Sequence, residues 1–84
     1  MTDTERAWLV YREYTDKGLL NVVYATPDGE RVLRKQRSMN AGDPTAAVDV
    51  EVDDLEPPAD DQERQRYAEE ATRMRDRHDP DDRV

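Results

Sequence analysis

Apolar residues fall in short runs through the first half of the chain. Runs rich in Val, Leu and Tyr at about 7–14, 19–26 and 30–36 are divided by Thr15-Asp16-Lys17-Gly18 and Thr26-Pro27-Asp28-Gly29. Pro presets φ at the second position of a turn, Asp bonds its own backbone two residues on, and Gly takes the left-handed φ that ends a type I turn with a G1 bulge. Both segments therefore read as hairpin turns and the runs as strands of a meander. With turns of that length Thr15 faces Leu19 and Thr26 faces Glu30, so even-numbered residues share one face. That face holds Trp8, Val10, Arg12, Tyr14, Leu20, Val22, Tyr24, Val32 and Arg34, and the other holds Leu9, Tyr11, Glu13, Leu19, Asn21, Val23, Ala25, Leu33 and Lys35. Apolar residues on both faces imply that both are covered. A helix over 4–16, with Ala7, Val10, Tyr11 and Tyr14 on one side and Gly18 as its stop, is the competing pattern; the Val, Trp and Tyr content favours the strand.

Further on, Val48-Asp49-Val50-Glu51-Val52-Asp53 alternates strictly and predicts a fourth strand at about 47–53, with Val inward and carboxylates guarding an outer edge. After Pro57-Pro58, Asp60 and Glu63 have the spacing of a capping box. The segment to Arg77 is rich in helix formers, and Pro80 stops it, which predicts a helix at about 59–77. Tyr67, Ala71 and Met74, with Ala68 beside them, make one narrow apolar stripe, enough to cover a single sheet face. Asp60 with Arg64 and Glu69 with Arg73 have the favourable i to i+4 order for ion pairs on the other side. The remaining residues, 79–84, read as an acidic frayed tail. The fold class is α+β: an antiparallel β-meander of three to four strands with one C-terminal α-helix packed on one face.

Composition sharpens this picture. Leu, Val, Ile and Phe number 13 of 84 residues, a thin supply for a core, but 12 of them lie between Leu9 and Leu55, where the strand patterns are. The absence of cysteine excludes disulfides and thiolate metal sites, so association with a second copy is the natural remedy for a small core, and a homodimer is expected. No run is long and apolar enough to span a membrane and the first residues do not form a leader, which makes a cytoplasmic, membrane-free protein the expectation. The net charge of -8 is unevenly spread, since residues 39–84 carry 15 acids against 6 bases. With 11 Arg, 2 Lys and neither Phe nor Ile, the chain resembles, in composition along its whole length, the small uncharacterised proteins of haloarchaea. That resemblance implies an acidic surface suited to concentrated salt and brings no motif or function with it.

Catalytic chemistry finds little support. His78 is the sole histidine, carboxylates lie on solvent-facing patterns, and phosphate loops, nucleophile motifs and paired histidines are absent, so neither an enzyme nor a cofactor nor a metal is expected. The acid run Asp79, Asp81, Asp82 beside His78 lacks the spacing of a cation loop. Two readings remain. In the first the chain is a non-enzymatic interaction or regulatory module that homodimerises through a sheet face or by edge pairing, or meets another protein there, with Trp8, Tyr11, Tyr24 and Leu33 as anchors. In the second, Arg31, Arg34, Lys35 and Arg37 form a basic strand beside aromatic residues and bind single-stranded nucleic acid.

Overall fold

The computed structural model describes residues 3–84. Four antiparallel strands, β1 (Thr4–Tyr14), β2 (Leu19–Ala25), β3 (Val32–Ser38) and β4 (Ala47–Glu51), form one curled sheet in the order β3-β2-β1-β4, and helix α1 (Asp61–Arg77) follows. The α+β class and the strand character of residues 4–14 agree with the sequence pattern. No helix of the described residues is long and apolar enough to cross a membrane.

The first turn closes as its sequence dictates: Thr15 N–H donates to Leu19 O at 2.9 Å, and Gly18 takes φ 76°. The second does not. Its Thr26 N–H donates to Arg31 O at 3.0 Å, one residue later than expected, while the Thr26 hydroxyl accepts the Arg31 N–H. Asp28 explains the longer loop, because its carboxylate accepts both the Thr26 hydroxyl at 2.6 Å and the Glu30 N–H at 2.9 Å. Those two bonds, the hydroxyl first, hold the Asp28 carboxyl below its ordinary value. One extra loop residue exchanges the faces of β3, so Tyr24 stands beside Leu33 and Val22 beside Lys35, while Val32 and Arg34 join Ala25 and Val23.

A second correction lies in β1. The register with β2 slips between Leu9 and Tyr11, placing Trp8 opposite Ala25 and Leu9 opposite Tyr24. Residues 7–11 are a continuous apolar run with no alternation of their own, and a bulge at Val10 lets both halves bury their apolar members while bending the strand. Ala7, Leu9, Leu20, Val22, Tyr24 and Val50 consequently form the core on the concave face, joined by half-buried Leu33 and Val48. On the convex face Val23, Ala25 and Val32 lie under Tyr67, and Trp8 lies with Ala71. The helix therefore covers the face that holds Trp8, Val10 and Val23.

Within the chain, the curl of the sheet covers the concave face. Just beyond β4, a 3-10 turn at Val52–Asp54 leads to Glu56, which exchanges two backbone hydrogen bonds with Val32 of β3, at 2.7 and 2.8 Å, and so joins the two sheet edges at one end. The tail does not fray. Ala46 N–H donates to Asp82 O at 2.7 Å, Ala47 N–H to Pro80 O at 3.1 Å and Val84 N–H to Pro44 O at 3.0 Å, while Arg12 reaches Val84 O at 2.7 Å and Val84 packs on the core. Backbone donors at 46 and 47 with no partner in β1 supply what an acidic composition alone conceals.

At the helix start, Asp60 accepts the Glu63 N–H at 2.8 Å, but the Glu63 side chain turns to Arg34 instead of closing the capping box. The surface ion pairs use three-residue spacing, Arg64 with Asp61 and Arg73 with Glu70, in place of the expected four.

Candidate functional site

The open edge of β3 is where unsatisfied groups, charge and hollow space meet. In an antiparallel ladder the backbone groups of successive residues point alternately to one side and the other. Arg31 and Met39 bond towards β2, whereas Val32 bonds outward to Glu56, so the N–H and C=O groups of Arg34 and Gln36 and the N–H of Ser38 point away from the sheet, the Ser38 carbonyl serving the 3-10 turn at Met39–Ala41. Beyond Val32 this edge has no pairing strand among the described residues. Lys35 and Arg37 project to the concave face and Arg34 and Gln36 to the helix side.

On the concave side lies a hollow of about 590 Å³ between β3 and β4. Leu33, Val48 and Val50 form its apolar floor, Tyr24 its back, and Lys35, Arg37 and Arg83 its cationic lining. Across from β3, Asp49 and Glu51 contribute the outward edge of β4. Asp49 turns its carboxylate to the opposite face, where it meets Arg6 at 3.2 Å. Arg37 donates from Nη2 to the carbonyls of Ala41 and Gly42, each at 3.3 Å, and its Nε is buried without a partner. Burial pushes the Tyr24 phenol up from its ordinary value, and the Arg37 guanidinium beside it offsets part of that.

A shallow groove of about 630 Å³ lies on the helix side, lined by Tyr11, Asn21, Arg34, Gln36, Glu63 and Tyr67. Arg34 is held by Glu63 and, at 3.6 Å, by Glu56, and Gln36 donates to Asn21 at 3.0 Å. Tyr11 donates to Glu13 at 3.0 Å, and that carboxylate raises the phenol above its ordinary value.

The residues singled out from the sequence scatter. Trp8 and Tyr24, at 5% and 3% exposure, are core residues; Leu33 is half-buried, and Tyr11 at 48% is open. Arg31 pairs with Glu5 at 3.0 Å on the loop before β3, away from Lys35 and Arg37. The pleat thus puts Arg34 on the face opposite Lys35 and Arg37, while Arg31, of their parity, is set apart by its place on the loop and by Glu5. Arg83 was missed altogether: it reaches the hollow through the pairing of Thr45 with Arg83, a contact with no local signature. His78 lies 3.7 Å from Asp82, and no group of three or more His, Cys, Asp or Glu side chains among the described residues is placed to hold a metal.

No curated protein and no solved structure matches the chain. A family model matches residues 1–84 from end to end, and the chain belongs to that family, the Family of unknown function (DUF7967).

Proposed function

We propose that the chain is a non-enzymatic interaction module that takes an acidic, extended segment of another protein as an added strand along β3. The observation that carries this reading is the outward row of unpaired backbone groups, both of Arg34 and Gln36 and the N–H of Ser38, flanked by a hollow on each side. Strand addition draws affinity from such a row and specificity from the recesses that receive alternate side chains. Charge selects the partner. Antiparallel pairing of β3 with its own copy would set a cation against a cation in each central register: Arg34 on Arg34, Lys35 on Lys35, or Lys35 on Arg37. The dimer expected from the sequence rested on a thin core and on the sheet face left over by the helix, and the curl places Leu9, Val22, Tyr24 and Val50 of that face in one core within the chain.

The nucleic-acid reading draws less support. Arg31 and Arg34 are neutralised by carboxylates, and Trp8 and Tyr24 offer no ring for stacking.

The test is a titration of the labelled protein with a synthetic peptide alternating Val with Asp or Glu, followed through backbone amide resonances. Shifts and slowed exchange at Arg34, Gln36 and Ser38, lost when the peptide is N-methylated at alternate residues, are expected. Equal binding of a Val–Lys peptide, or no change at those amides, would overturn the proposal.

A further inference from the structure

From the concave hollow we infer a carboxylate-binding site, which takes the acid group of a ligand with a short apolar stem between Lys35 and Arg37. Arg37 is the main argument. The half-buried Arg37 lines the hollow with its Nε bonded to nothing, its Nη2 donates to two neutral carbonyls at 3.3 Å, the neutral Tyr24 phenol lies beside it, and no carboxylate lies within ion-pairing range of it among the described residues. The unmet Nε–H is a donor that a ligand acceptor would satisfy, and the planar fork is the geometry that carboxylates match. Lys35, two residues along the same face of β3, also has no ion pair among the described residues and adds a second cation to the same space.

The rest of the lining sets the ligand class. Leu33, Val48 and Val50 give the floor an apolar surface suited to a few methylenes. The outward N–H groups at the β4 edge, at Asp49 and Glu51, are further donors facing the same space. Asp54 at the rim and the net charge of -8 disfavour a dianion, so a monoanionic carboxylate fits better than a phosphate. Two sources share this chemistry: a free short-chain acid, and an Asp or Glu side chain of the strand docked on β3. The second source rests on the strand-addition reading, and the first does not.

The probe is butyrate, with butyramide as its uncharged isostere and the acidic peptide as a third arm, each titrated into the full chain at matched salt. Butyrate is expected to shift the amides of Leu33, Lys35, Arg37, Asp49 and Glu51 saturably and to perturb the Tyr24 ring, while butyramide leaves them in place. Lys35→Gln, at an exposed position, should weaken butyrate about tenfold with the fold intact. Arg37→Lys keeps a cation but loses the fork and should also bind less tightly. Equal shifts from butyramide, or undiminished butyrate binding in Lys35→Gln, would overturn the site. Peptide shifts at Arg34 and Gln36 with none from butyrate would overturn it too while leaving strand addition standing. Butyrate binding without peptide binding would support it as a small-molecule site and sink strand addition.

Discussion

Gly18 and Gly29 end turns of similar sequence with similar backbone angles, φ 76° and 72°, yet the two positions carry different loads. Around Gly18 there is open space. At Gly29 a side chain would begin 2.1 Å from the Arg64 carbonyl oxygen and 2.9 Å from the Ala68 nitrogen, so the turn and the helix backbone touch because this residue has no Cβ. Gly18→Ala should therefore cost only the left-handed conformation, about 1–2 kcal/mol. Gly29→Ala adds a clash with backbone that cannot move aside and should cost about 3 kcal/mol or more. Urea unfolding of the two variants reads the difference, and equal midpoints would mean that the turn does not dock on the helix as described. The sequence could not have ranked these glycines: both sit in the same local pattern, and their difference is made by a helix more than thirty residues away.

At the scale of elements, strands and helix were legible where one local rule dominated. The alternation from Val48 to Glu51 and the Asp60 cap gave β4 and the start of α1 within a few residues. Faces were less legible. The single extra loop residue set by Thr26 and Asp28, and the bulge at Val10, each inverted a face, because a period of two turns any one-residue error into a complete exchange. The site suffered most: Lys35 and Arg37 were singled out, but grouped with Arg34, from which the pleat separates them, and with Arg31, which Glu5 holds on the loop before β3. The tail was misread for a different reason, since its order comes from pairing with residues 44–47 and not from its own composition. Deleting residues 79–84 removes backbone partners of Ala46 and Ala47 and the apolar contact of Val84, and should cost about 3 kcal/mol. Hydrogen exchange supplies the check: the Ala46 and Ala47 amides, slow in the full chain, should exchange quickly in the shortened one while β2 amides stay protected.

For the whole molecule, thin apolar content and heavy charge reconcile through shape. A curled sheet lets Leu9, Val22, Tyr24 and Val50 share one small core, and the helix closes a second over Trp8 and Val23, so few large residues suffice. Among the charged side chains, 21 carboxylates outnumber 13 cations. Ion pairs such as Arg6 with Asp49 and Arg73 with Glu70 are exposed and individually weak, so they offset little of the mutual repulsion of a -8 chain. Raising KCl from about 0.1 to about 1 M shortens the Debye length from roughly 10 to roughly 3 Å and removes most of that repulsion while sacrificing little from the pairs. Thermal midpoints should accordingly rise with KCl across that range, and the rise should shrink when Asp53 and Asp54, two neighbouring exposed acids, are changed together to Asn. Midpoints that fall with salt would mean that the exposed ion pairs contribute more to the fold than the carboxylate excess takes from it.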